Sequence, residues 1–269
     1  MLRAARADYA QRVKNQQRGE IAVCGLESVR ALAQARPDAV LRFFSVQERA
    51  REFGPLCKIL AKGRKTYRVV EPAELEKLSG TVHHQGVVAM VTDAPLKRPD
   101  EALLRGWAAS GARIVVLDRV GDDHNLGSIA RSAAFFGFRA LILSDRDHAA
   151  RLSTSAYRVA RGALERIAVY ADESAAAFLM RCKGIMPSVG ADHRGKNELR
   201  SFGLPSAAPP GAACAPLALV LGNEETGLEP DTRAACDALV RVEGSGSVES
   251  LNVSQAAAVF FYRFAPPRR

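Results

Sequence analysis

From Arg113 onward, short apolar runs alternate with stretches of helical spacing, and this alternation constrains the fold of the 269-residue chain more than any other feature. Strand candidates lie at 113–117, 140–143, 167–169, 184–189, 217–221 and 239–242. Helix candidates lie at 126–136, 155–165, 174–183, 231–237 and 252–263. Strands that alternate with helices call for a mainly parallel sheet covered on both faces. Ligands of such sheets bind beyond the carboxyl ends of the strands. Periodicity alone therefore predicts an unknotted α/β domain over residues 111–269, because knotted chains are rare.

A smaller alternation precedes it. Strands are expected at 40–46, 67–70 and 86–91, a short strand or turn at 21–25, and helices at 26–35, 55–63 and 73–78. This describes a small α/β domain over residues 21–92 with its own core. The segment 93–110 opens with Pro95 and Pro99 among several charges and is read as the linker, with a helix expected around 101–109. Residues 1–20 read as a basic, flexible arm, and 202–216, rich in Pro, Gly and Ala, as a mobile surface loop.

Charge points to a partner. The net charge is +9, and residues 1–95 carry 16 Lys and Arg against 10 Asp and Glu, so most of the excess sits in the first third. Clusters occur at Arg3, Arg6, Arg12, Lys14 and Arg18, and at Lys58, Lys62, Arg64, Lys65 and Arg68. This footprint favours a polyanion, nucleic acid first. No apolar run approaches the roughly 18 to 20 residues that span a bilayer, and the basic start has no apolar core of a signal peptide. A cytoplasmic protein with no membrane partner is expected. The five cysteines are scattered without a Cys-x-x-Cys pair, so neither a disulfide framework nor a metal site is expected.

Three strand-to-loop junctions carry the candidate chemistry. In the first, Asp118 to Ala133, Asn125 is placed to cap a helix on which Gly127 and Arg131 lie four apart, on one face. An arginine near the positive end of a helix is poorly placed for dipole stability, which suits a phosphate- or nucleophile-handling role; the alternative is a surface arginine paired with Asp122 or Asp123. In the second, an apolar strand ends at Leu221 and Gly222 before Asn223, Glu224 and Glu225. Gly222 would let a ligand approach the backbone, and either glutamate could bind a cation, hold a hydroxyl or stand solvated in a turn. In the third, a strand enters the loop Val242 to Leu251, and Ser250 or Asn252 opens the last helix. Neither a Gly-x-Gly-x-x-Gly fingerprint nor a Gly-Lys-Ser/Thr loop occurs, which disfavours a dehydrogenase or P-loop enzyme.

Taken together, Asn125-Leu126-Gly127-Ser128-Ile129-Ala130-Arg131, Leu221-Gly222-Asn223-Glu224-Glu225-Thr226-Gly227 and Ser250-Leu251-Asn252-Val253-Ser254 resemble, in order and spacing, the three motifs of the SpoU (TrmH-like) RNA 2′-O-ribose methyltransferases. Cys24-Gly25-Leu26-Glu27-Ser28-Val29 and His84-Gln85-Gly86-Val87-Val88-Ala89 are similar to the ribosomal-protein-like RNA-binding domain that often precedes that catalytic domain. The resemblance implies a carboxy-terminal trefoil knot, a homodimer, S-adenosylmethionine (SAM) as methyl donor, and rRNA or tRNA as substrate. It implies Asn125, Arg131, Glu224, Ser250 and Asn252 as the catalytic pocket, and Leu221, Gly222, Val242, Leu251 and Asn252 at SAM. In the family the strand before the third motif usually continues Ile-Pro-Met, whereas here it reads Val242-Glu243-Gly244. A non-catalytic RNA binder of this fold and a knotted base methyltransferase are the alternatives.

Overall fold

A computed structural model describes residues 15, 18–144, 151–204, 206–248 and 250–267. Nearly all of the expected basic arm lies outside the described residues. The chain forms two compact units: the first runs to Pro95 and takes in Leu152–Arg166, and the second comprises Leu96–Arg151 and Ile167–Arg269.

The first unit is a four-stranded mixed sheet. Strands β1 (Glu20–Cys24), β2 (Val40–Ser45), β3 (Thr66–Val69) and β4 (Val87–Thr92) lie in the order β1-β4-β2-β3. The chain places β4 in the middle, antiparallel to both neighbours, because its run Val87 to Val91 is apolar throughout and can be buried on both faces. Ala22, Cys24, Phe44, Leu75, Val88 and Met90 form its core.

The helix Thr154–Ala160 and the turn Ala163–Glu165 belong to this unit, although they follow the sixth strand in sequence. Their seat is specific. Ser28 Oγ donates to the Tyr157 carbonyl at 2.7 Å, and Arg36 makes a two-pronged pair with Glu165 (Nε to Oε2 2.6 Å, Nη2 to Oε1 2.7 Å) while also donating to the Tyr157 hydroxyl at 3.0 Å. The Glu165 side chain is only 3% exposed, so its charge is tolerated because the fork of Arg36 meets both oxygens. Gly162 has φ +87°, and a Cβ there would stand 2.8 Å from Ala31 Cβ and 2.9 Å from the Glu27 carbonyl oxygen. Only glycine allows the two segments so close. The sequence reading ran one helix through 155–165; Arg161 and Gly162, both at positive φ, break it.

The second unit is a seven-stranded sheet: β5 (Arg113–Asp118), β6 (Ala140–Ser144), β7 (Ala168–Asp172), β8 (Ser188–Ala191), β9 (Asn197–Glu198), β10 (Leu217–Gly222) and β11 (Ala238–Arg241). Their order is β7-β6-β5-β10-β8-β11-β9, and every neighbouring pair is parallel. The expected parallel α/β sheet is thus present. Strand β8 begins four residues later than expected, because Gly184 turns at φ +72° and Pro187 has no N–H to give a ladder. Strand β9 is too short for any period to announce. The expected helix Glu101–Ala109, within the stretch read as linker, buries Leu104 and Trp107 in the core of this unit with Ile114, Val116, Phe178 and Val220.

The segment 202–216 is anchored near both ends. Arg263 donates to the Phe202 carbonyl at 2.7 Å, and Ala215 is buried. The closing helix α-C (Val253–Arg263) packs along α-N (Asp123–Phe135), with the Phe138 and Phe261 rings 4.6 Å apart.

Candidate active site

The three motif junctions converge at the carboxyl edge of β10. Leu221 and Gly222 end that strand, paired with Leu117 and Asp118 of β5. The chain then turns back: Asn223 and Gly227 exchange backbone hydrogen bonds, each 3.0 Å long. The Asn223 side chain holds the turn, with Oδ1 accepting from the amides of Glu225 (2.9 Å) and Thr226 (3.1 Å), an arrangement native to asparagine. Its Nδ2 donates to the Arg119 carbonyl at 2.8 Å, fixing the turn to the loop after β5.

Glu224 is thereby aimed at the first motif. Its Oε1 accepts from Asn125 Nδ2 at 2.7 Å and its Oε2 from the Gly121 amide at 3.2 Å. Asn252 continues the chain: its Nδ2 donates to Asn125 Oδ1 at 3.2 Å, and its Oδ1 caps α-C by accepting from the Ser254 amide (2.9 Å) and hydroxyl (2.6 Å). Each amide fixes the next. Because Asn252 spends its oxygen on the cap, its nitrogen must face Asn125, which leaves the Asn125 nitrogen for Glu224. One residue from each motif is therefore joined in a single polar chain, with Asn125 only 9% exposed.

Asn125 does not cap its helix, as the sequence reading had it. Asp122, in extended conformation, is the cap and accepts from the His124 amide at 2.7 Å, which frees Asn125 in the first turn to look inward. At the third junction the cap is Asn252, one of the two residues expected there.

A cavity of about 720 Å³ lies against this chain. Leu221, Gly222, Val242, Glu224, Ser250 and Leu251 all line it. Within the loop the Ser247 amide donates to Ser245 Oγ at 3.3 Å, and that hydroxyl in turn donates to Ser247 Oγ at 2.9 Å. Gly222 lines the cavity, and the return turn also requires a glycine there. A Cβ there would stand 2.5 Å from Leu228 N and 2.6 Å from the Gly227 oxygen, so the chain's own return turn occupies the space. Arg131 is exposed on α-N, is absent from the cavity lining, and pairs with neither Asp122 nor Asp123.

Sequence reasoning missed Asp192 and His193, which also line the cavity and sit in no motif. Burial alone would raise the Asp192 carboxyl, but the Arg194 amide and the charges of Arg233 and Arg194 outweigh it and hold it below the usual range. It also missed the fate of Glu243. Its Oε1 accepts from the Arg200 amide at 3.1 Å, and its own backbone amide first, then that of Arg200, lower the carboxyl pKa. The departure from Ile-Pro-Met thus ties the loop to the chain after β9.

A parallel sheet with a cavity of mixed polar and apolar lining at the carboxyl ends of its central strands defines an α/β protein built to hold a small ligand there. Sequence comparison narrows that class. Residues 112–262 match the SpoU rRNA Methylase family, and residues 22–96 match the family described as RNA 2′-O ribose methyltransferase substrate binding. The chain belongs to the SpoU rRNA Methylase family. It is 35% identical over 246 residues to the 23S rRNA (guanosine-2′-O-)-methyltransferase RlmB of Acinetobacter baylyi, covering 88% of this chain and 94% of that one. It is 33% identical over 242 residues to RlmB of Nitrosomonas europaea, covering 89% of each. Its fold is that of the SpoU methyltransferase AviRb from Streptomyces viridochromogenes, solved with AdoMet (TM-score 0.71, 24% identity, 97% of this chain and 96% of that one).

Proposed function

We propose that this protein transfers a methyl group from SAM to a ribose 2′-hydroxyl of ribosomal or transfer RNA, as a cytoplasmic enzyme. The observation that carries the reading is the Glu224–Asn125–Asn252 chain, which joins all three family motifs beside one cavity. The cavity suits SAM. Leu221, Val242 and Leu251 offer apolar surface to an adenosine, the main chain of the Val242–Leu251 wall offers polar groups to its base and ribose, and Glu224 offers negative charge to a cationic ligand. Bound there, SAM would supply an electrophilic methyl carrying its own neutral leaving group. The chain itself has to align the ribose and manage the hydroxyl proton.

A guanidinium is a poor proton acceptor, so Arg131 is assigned no base role. Its guanidinium clamps the RNA phosphate and stabilises charge developing on the 2′-oxygen. Glu224, held at both oxygens, and the Ser250 hydroxyl orient that group and receive or pass on its proton. Isothermal calorimetry tests the cofactor assignment: SAM should bind one site per chain, and no heat at millimolar SAM would favour an RNA binder without catalysis.

The protein acts as a homodimer with a trefoil-knotted second unit. Support for the dimer comes from the helices α-N and α-C, which leave Phe135 (76% exposed), Tyr262 (77%) and Val259 (40%) open to solvent, an apolar face that a second copy would cover. Arg131 precedes Phe135 by one turn, so it stands at the edge of that face. The dimer would thus bring it to a site shared between copies. Phe135→Glu together with Tyr262→Glu should convert a dimer to a monomer in light scattering; a wild-type monomer would refute the assembly.

A further inference from the structure

We infer that Arg158 and Arg161 form an RNA phosphate-binding site in the first unit, in a cleft completed by a segment from the methylase half of the sequence. The inference rests on the reading of the protein as an RNA-modifying enzyme. The substrate-binding match ends at residue 96, and both arginines fall inside the methylase match, 112–262, so neither match by itself describes this site. In the fold they meet: a cleft of about 480 Å³ is lined by Arg158 and Arg161 together with Ser28, Val82, His83 and Gln85.

What the cleft offers is donors. The Gln85 oxygen is committed to the Leu26 amide at 2.9 Å, which turns its side-chain nitrogen outward. The Ser28 hydroxyl is spent on the Tyr157 carbonyl. Glu27, the one carboxylate on the wall, is paired with Arg30 at 2.5 Å. Among the described residues, Arg158 and Arg161 have no hydrogen-bonding or ion-pairing partner. A helix carboxyl end favours a cation, which accounts for an arginine at 158 or 161 but not for two of them facing a cleft whose acceptors are already used.

The platform beneath them is fixed. Tyr157 is 5% exposed, Ala156 and Ala160 are buried, and Arg36 clamps Glu165 on the far side of the Gly162 turn. Arginines held on a rigid support lose little entropy when they meet a phosphate. The exposed Val82 and the His83 ring beside them give a base or sugar something to rest on.

The test uses the full chain and a fluorescently labelled single-stranded RNA oligonucleotide, with anisotropy recorded over a range of salt. Arg158→Gln/Arg161→Gln should weaken binding about tenfold and reduce the slope of log affinity against log salt by about 1.4, the loss of two single-strand phosphate contacts. Calorimetric SAM affinity and thermal stability should be unchanged, and methylation should show a raised KM for RNA with kcat retained at saturation. Arg158→Gln alone should show about half the slope change, and it serves as the second variant should the double one fold poorly. Unchanged RNA affinity and slope in a variant that still binds SAM would overturn the site while leaving the enzyme assignment standing. Loss of binding to polyglutamate with RNA binding intact would also overturn it, by making the cleft a peptide site. A wild-type protein that binds no RNA would overturn both readings at once.

Discussion

Arg131→Ala should lower methyl transfer by about 10² to 10³-fold, the effect of removing a positioned donor from developing charge, while SAM affinity stays near that of the wild type. The two readouts separate because Arg131 does not line the cavity proposed for SAM. Its exposed position on α-N, one turn before Phe135, suits a group that waits for RNA and for a second copy of the chain. Arg131→Lys should restore little, because an ammonium cannot grip a phosphate with two parallel hydrogen bonds. Single-turnover methylation of an RNA substrate, run beside SAM calorimetry, decides the matter. Retained turnover in Arg131→Ala would remove the arginine from the chemistry, and joint loss of turnover and SAM binding would make its role structural.

The second large effect is expected at Gly222, for a reason the sequence did not disclose. Gly222 lines the cavity, and the space a side chain would need there is taken by Gly227 and Leu228. Gly222→Ala must push that turn outward, and with it Asn223 and Glu224, whose bonds to Arg119, Gly121 and Asn125 hold the site together. Overpacking against backbone costs about 3 kcal/mol, so thermal melting should fall by several degrees and the Glu224-dependent activity should go with it. A melting temperature equal to wild type, with normal SAM binding, would contradict this account of the turn.

These two residues mark how far the sequence could be read. Apolar strands such as Leu217 to Leu221 declare themselves because a strand buried on both faces is apolar throughout, and the order of the three motifs was enough to identify the family. Pairings over long sequence distances were not legible. Nothing local to Asn125 says that it faces Glu224 instead of capping its helix, and nothing near Glu243 says that its carboxylate goes to the Arg200 amide. The segment Leu152–Arg166 reads as one more crossover helix, and only tertiary packing, through Tyr157 and the Arg36–Glu165 pair, assigns it to the first unit. The cavity line-up of Leu221, Val242, Ser250 and Leu251 followed from the motifs, whereas His193 and Asp192 follow from strand order alone, since β8 lies between β10 and β11.

Methyl transfer to a ribose 2′-hydroxyl is tested by incubating the protein with ribosomal RNA and isotopically labelled SAM, digesting the product to nucleosides, and locating the label by mass spectrometry. The label is expected on the ribose of a 2′-O-methylnucleoside, and it should be absent from the Arg131→Ala reaction. A label on a nucleobase, or none from a protein that binds both SAM and RNA, would contradict that expectation.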